Sequence, residues 1–251
     1  IYMNILNMTA LQVGEKIKNK EISCIEVVKY FFKNMKNKSN GYITLTEEYA
    51  INKAKEIQSK IDKGEQLSIF AGVPISIKDN ICTKNIKTTC ASKMLKDFVP
   101  PYNATVFKKL EDSGAILVGK LNLDEFAMGD TGTTSFFGKC QNPWDNTKST
   151  GGSSSGCASS ISYNEAIFTL GSDTGGSIRQ PSSFCSVTGI KPTYGLVSRY
   201  GLISFAPEFD QIGPMTKDAL DCAKTLEIIS GYDKNDCLLY TSPSPRDTER
   251  S

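Results

Sequence analysis

The chain has 251 residues, 39% of them hydrophobic, 22% charged and 9% aromatic, which is enough apolar material for one sizeable core or two small ones and excludes a disordered, collagenous or coiled-coil chain. No apolar run reaches the roughly 18 to 20 residues of a membrane-spanning helix, and the N-terminus lacks a secretory pattern. The 29 Lys+Arg against 27 Asp+Glu leave a net charge of only +2, so no strong field draws in nucleic acid or an anionic membrane. The composition therefore predicts a cytoplasmic protein, with an organelle matrix equally compatible.

The first forty residues read as helix. Thr9 with Gln12 and Ser23 with Glu26 fit capping boxes, and Ile25, Val28, Phe31, Phe32 and Met35 form a stripe of helical period. A short strand is expected at 42–45. A helix should follow from about Thr46 to Lys63 with Ala50, Ile51, Ala54, Ile57 and Ile61 inward. Residues 1–70 are thus a helical segment expected to pack on a core.

From residue 72 short apolar runs alternate with glycine-rich turns and helices, the α/β pattern. The run 73–77 predicts a strand that delivers Lys78 at its end. A helix capped by Asn103 should run to Gly114, followed by a buried strand over 115–118. A strand over 166–170 leads into Gly171-Ser-Asp-Thr-Gly-Gly-Ser177 and a helical stretch from Ser177 to Phe184. A last helix is expected from Thr216 to before Gly231. The core therefore spans 71–233. Residues 234–251 end in a Ser/Pro/Arg tract that cannot build a core and resembles translated vector sequence.

Residue counts narrow the chemistry. There is no histidine, which removes Ser-His-Asp and Cys-His mechanisms and histidine metal sites. The eight cysteines are scattered with no C-x-x-C pair, so reduced structural thiols are expected rather than a metal site, the alternative being a zinc site built from distant thiolates. Gly114-Ala-Ile-Leu-Val-Gly119-Lys120 matches the start of a phosphate loop. It continues with Leu121 instead of Ser or Thr, and its middle is a buried-strand sequence, so no nucleotide site is expected there.

Ser149-Thr-Gly-Gly-Ser-Ser-Ser-Gly156 and Asp173-Thr-Gly-Gly-Ser177 are more informative. Glycines where a strand turns into a helix let backbone amides converge on an anion, as an oxyanion hole requires. Without histidine, a serine nucleophile needs Lys, Asp, Glu or a thiolate as base. Lys78, at the end of an apolar strand where desolvation favours the neutral amine, is the leading candidate. The competing readings are a solvated surface lysine and purely structural Gly/Ser turns.

Gly72-Val-Pro-Ile-Ser-Ile-Lys-Asp-Asn80, Gly151-Gly-Ser-Ser-Ser-Gly156 and Gly171-Ser-Asp-Thr-Gly-Gly-Ser-Ile-Arg-Gln-Pro181, in this order, resemble the amidase signature family from about residue 8 to 233. Flanking runs, including Asn122–Gly129, Gly189–Gly195, Val197–Leu202 and Asp210–Pro214, are similar to the branch of glutamyl-tRNA(Gln) amidotransferase A subunits. The resemblance implies an α/β amidase-signature fold, a mixed central sheet flanked by helices, with the C-terminal half missing. It implies a Ser-cisSer-Lys triad with Ser177 as nucleophile, Ser153 as bridging serine after a cis peptide and Lys78 as base. The amides of Thr174, Gly175, Gly176 and Ser177 would form the oxyanion hole, and Met128 and Gly129 would contact substrate.

The implied activity is glutamine hydrolysis that supplies ammonia for converting Glu-tRNA(Gln) to Gln-tRNA(Gln). The implied partners are B and C subunits, with tRNA reached through the complex. ATP and Mg would be used by the partner, with no cofactor in this chain. A stand-alone amidase for small amides and a non-catalytic remnant are the alternatives. Two runs depart from the family pattern: Ser155-Gly156-Cys157 replaces a second Gly-Gly pair, and Ala206-Pro-Glu-Phe209 replaces a small polar run.

Overall fold

The computed structural model describes residues 4–241. Both capping boxes form: Thr9 opens α1 (Ala10–Lys18) and Ser23 opens α2 (Cys24–Asn34), each exchanging hydrogen bonds with the residue three positions on. Helix α2 buries Val27, Val28 and Phe31, and α3 (Glu47–Asp62) buries Ala50, Ala54 and Ile57. Between them lies β1 (Tyr42–Leu45), so residues 1–70 contribute an edge strand as well as helices.

The remaining elements are β2 (Pro74–Lys78), α4 (Thr105–Asp112), β3 (Ile116–Leu121), α5 (Ser155–Ser162), β4 (Phe168–Asp173), α6 (Arg179–Cys185), β5 (Thr188–Gly189), β6 (Gln211–Thr216), α7 (Ala219–Ile229) and α8 (Cys237–Thr241). One six-stranded sheet has the order β1-β3-β2-β4-β6-β5. The three central strands, β3, β2 and β4, are parallel, and the outer pairings are antiparallel. Parallel neighbours need crossovers, which α4 and α5 provide, and covering both faces makes those strands wholly buried. Phe31, Phe70, Phe107 and Phe168 anchor the core, with the rings of Phe70 and Phe168 5.0 Å apart.

This topology positions the site. Because β2 and β4 run in parallel with Ile77 opposite Leu170, Lys78 at the end of β2 comes level with the last turn of β4, Gly171-Ser172-Asp173. Crevices at the carboxyl ends of such strands are where α/β folds bind ligands.

Several elements differ from expectation. Ala104, not Asn103, caps α4, because the Asn103 side chain accepts the Lys84 amide from the preceding loop. Thr216 ends strand β6 instead of opening a helix, and α7 starts after Asp218, whose carboxylate caps the Asp221 amide. Helix α6 begins at Arg179, two residues after Ser177. Strand β3 continues through Gly119 and Lys120, which places the G-x-x-x-x-G-K run in buried sheet. A Cβ at Gly119 would lie 2.7 Å from the Thr44 carbonyl of β1, so glycine there serves strand packing.

The core does not stop at 233. Asp236 accepts the Arg199 amide at 2.8 Å and pairs with its guanidinium at 3.0 Å, so the stretch up to α8 is fastened to the domain. The Ser/Pro/Arg tract over 242–251 lies outside the described residues. Among the described residues no helix is long and apolar enough to cross a membrane.

Candidate active site

The β2 run Pro-Ile-Ser-Ile-Lys is apolar enough to be buried on both faces, and it carries Lys78 into the interior with no exposed surface. The lysine Nζ lies 2.7 Å from Ser153 Oγ, 2.9 Å from Ser172 Oγ and 3.3 Å from the Ser172 carbonyl. Burial pushes its pKa down to about 8, against the opposing pull of Cys157, Asp124, Asp173 and Asp210. A neutral amine is thus available near neutral pH, and the surface-lysine reading is excluded.

Ser153 follows a cis peptide bond from Gly152 and is fully buried. Its turn is packed from three sides. The Gly152 amide donates to Gln180 Oε1 at 3.0 Å, the Ser153 carbonyl accepts the Asp124 amide at 3.2 Å, and the Ser154 amide donates to the Ser177 carbonyl at 3.1 Å. The last bond sets Ser177 beside the cis turn. Ser177 is 9% exposed, whereas Lys78 and Ser153 are at 0%, so Ser177 is the member of the trio that reaches the surface.

The turn that carries Ser177 is organised by Asp173 at the end of β4. One carboxylate oxygen accepts the Gly176 amide at 2.8 Å, and the other accepts the amides of Ile178 at 3.0 Å and Arg179 at 3.3 Å. The Arg179 guanidinium closes on the same carboxylate. Burial opposes the charge on Asp173, but Arg179 and these amides outweigh it and hold the carboxyl below its usual range.

This corrects the expected oxyanion donors. The Gly176 N–H is committed to Asp173, while the amides of Thr174, Gly175 and Ser177 have no partner among the described residues. Gly175 and Gly176 form an open tip, with nothing within 4 Å of a Cβ built on either.

Met128 and Gly129 sit on the loop that wraps Asp124, and a Cβ at Gly129 would come within 2.6 Å of the Asp124 carboxyl carbon. Gly129 is therefore required for close approach, while the Met128 side chain is 55% exposed. Asp124 accepts the amides of Gly132 and Thr133 at 2.9 and 3.0 Å, which folds this loop against Gly152.

Residue-by-residue reading missed four supporting side chains. Ser172 contacts the amine, and Asn80 Nδ2 in turn donates to Ser172 Oγ at 3.1 Å. Asp124 braces the cis turn, and Asp210 receives the Thr174 hydroxyl. All four stand inside runs noted in the sequence, yet only strand register reveals what they touch. Cys157 and Cys185, both close to the site, are pushed up to about 12 by burial, so neither is a ready thiolate. The seven buried cysteines form no disulfide. Among the described residues no group of three or more Cys, Asp or Glu side chains could hold a metal ion.

The family model described as Amidase matches residues 26–251. This chain belongs to the amidase family. The glutamyl-tRNA(Gln) amidotransferase A subunit of Lachnoclostridium phytofermentans is 54% identical over 238 residues, covering 93% of this chain and 48% of the relative. The second A subunit of the same enzyme in Clostridium acetobutylicum is also 54% identical, over 93% of this chain and 50% of its own length.

Among solved structures, the glutamyl-tRNA(Gln) amidotransferase A subunit of Thermotoga maritima matches with a TM-score of 0.82 at 40% identity, over 97% of this chain and 51% of that one. The native peptide amidase of Stenotrophomonas maltophilia matches with a TM-score of 0.89 at 30% identity, over 94% and 50%. The chain therefore spans about half the length of the relatives it matches.

Proposed function

We propose that this chain carries the amide-cleaving centre of a glutamyl-tRNA(Gln) amidotransferase A subunit, with Ser177, Ser153 and Lys78 as its catalytic relay. The supporting observation is the buried Lys78–Ser153 contact of 2.7 Å, held in a turn whose next amide is bonded to Ser177. Identity to the amidotransferase subunits, 54% against 30% for the peptide amidase, favours glutamine over other amides as substrate.

In this reading Ser177 Oγ attacks the side-chain amide carbon of glutamine. Its proton passes to Ser153 Oγ as the Ser153 proton passes to neutral Lys78. The carbonyl oxygen becomes an oxyanion facing the open amides of the 174–177 turn. When the C–N bond breaks, the proton returns along the same relay to the departing nitrogen. Ammonia leaves, with a glutamyl ester on Ser177. Water, deprotonated by the relay, then cleaves the ester to give glutamate and restores Ser177.

The ammonia would be used by the B subunit, with ATP and Mg bound there, to amidate Glu-tRNA(Gln), and a C subunit would complete the assembly. The setting would be the cytoplasm or an organelle matrix, and Met128 and Gly129 would border the substrate.

The test is ammonia release from glutamine by the complete protein assembled with its partners. Ser177→Ala should lower kcat by at least about 10³-fold with the thermal transition unmoved. Wild-type turnover in that variant refutes the reading. Equal turnover without the partner subunits would instead identify a stand-alone amidase.

A further inference from the structure

The oxyanion turn raises a mechanical problem. Its tip, Gly175-Gly176, has open space where side chains would stand, and glycine restricts the backbone least of all residues. Its position must be set from its two ends. On the C-terminal side Asp173 binds the amides of Gly176, Ile178 and Arg179. On the N-terminal side one contact does the same work: the Thr174 hydroxyl donates to Asp210 Oδ1.

Asp210 is built for that contact. Strands β4 and β6 pair antiparallel with Asp173 opposite Gln211, so one further step brings Asp210 level with Thr174. Asp210 is 3% exposed, and its second oxygen accepts Ser204 Oγ at 2.5 Å and the amides of Phe205 and Ala206 at 2.9 and 3.1 Å. Four donors from two segments converge on one carboxylate. This also gives the Ala206-Pro-Glu-Phe209 run a structural place, as the turn that folds back onto Asp210.

We propose that Asp210 is a positioning residue for amide cleavage, tying Thr174 through its hydroxyl to the 204–206 turn so that the open amides of Thr174 and Gly175 face the developing oxyanion. The proposal rests on the hydrolytic reading above. It extends that reading because the hydrogen bonds of the Asp210 carboxylate go to Thr174 and the 204–206 turn and not to Lys78, Ser153 or Ser177. Asp173 and Asp210 act as two anchors with an unsupported span between them, and the span carries the donors.

A loose anchor displaces oxyanion donors while the Lys78–Ser153 contact stays in place, and Thr174→Val also keeps the Asp210 charge that favours the protonated amine, so in that variant turnover should fall while substrate binding holds. Displacement by a fraction of an ångström to 1 Å costs up to about 100-fold. The experiment compares Thr174→Val, Thr174→Ser, Asp210→Ala and Thr174→Val/Asp210→Ala in the complete protein with its partners, with Ser177→Ala as reference. Ammonia release from glutamine gives kcat and KM. Thr174→Val should lower kcat about 10- to 100-fold with KM within about twofold, and Thr174→Ser should restore it to within about threefold.

The double variant should be no slower than Asp210→Ala alone, because both changes cut the same tie. Wild-type kcat in Thr174→Val, or multiplicative losses in the double variant, overturns the proposal. If Asp210→Ala does not fold, the Val and Ser variants at 174 decide alone. Activity retained in Ser177→Ala would reject the hydrolytic reading itself, an outcome separate from failure at Asp210.

Discussion

Activity should follow the ionisation of Lys78. The amine has no exposed surface and its pKa is pushed down to about 8 by burial. The base is the neutral form, so kcat/KM should rise with pH and level off above the folded-state value. With a pKa of about 8, half of the plateau is reached near pH 8, roughly a tenth at pH 7 and about a hundredth at pH 6. The limb should have a slope of one, since a single proton is involved.

The charges facing the amine set the direction of a second shift. Asp124, Asp173 and Asp210 all favour its protonated form, so Asp210→Asn should move the limb to lower pH while Thr174→Val leaves it in place. The assay is ammonia release by the complete protein from pH 6 to 10, with Lys78→Ala giving only a flat residual rate. A wild-type profile flat down to pH 6, or a limb near the ordinary lysine value of 10.5, would refute the assignment of Lys78 as a buried base.

Other predictions concern the frame around the site. Ser153→Ala removes the hydroxyl that contacts Lys78 and, in the proposed relay, passes the Ser177 proton to it, and should lower kcat by at least about 10²-fold while the unfolding midpoint changes little. A second buried lysine, Lys120, sits 3.4 Å from Asp79, and both are fully buried, so Lys120→Met strands a carboxylate and should cost about 3 to 5 kcal/mol in denaturant unfolding. Adding Asp79→Asn should recover part of that loss; an additive double variant would show the pair is not coupled. Gly152→Ala would put a methyl 2.0 Å from Asp124 Oδ2 and should cost about 1 to 3 kcal/mol along with most activity. Unchanged stability would mean the Asp124 loop yields freely.

What was legible in the sequence follows from how each element is stabilised. Strands β2 and β4 announce themselves because both faces are covered, which demands continuous apolar runs. Both N-terminal caps were readable because a capping box is local, with both partners three residues apart. Strand β6 was not readable: Gln-Ile-Gly-Pro-Met-Thr holds a glycine and a proline and takes its strand form from β4 and β5 on either side. The two-residue β5 is likewise defined only by its neighbour.

The site divides in the same way. Lys78, Ser153 and Ser177 stand in long motifs whose order carries the resemblance to the family. Ser172 reaches Lys78 only through the register of β2 on β4, and Asp210 reaches Thr174 only through β4 on β6. The expected use of the Gly176 amide failed for a related reason. Asp173, three residues before it, competes for that N–H as a side chain caps a turn.

Acylation of Ser177 is the step on which the proposed chemistry depends, and it can be caught by a rapid acid quench of the complete protein turning over glutamine, followed by peptide mass spectrometry. A glutamyl ester is expected on the peptide containing Ser177, absent in Ser177→Ala and strongly diminished in Lys78→Ala. A glutamyl adduct on any other residue, or steady turnover with no adduct and with Ser177→Ala active, would contradict it.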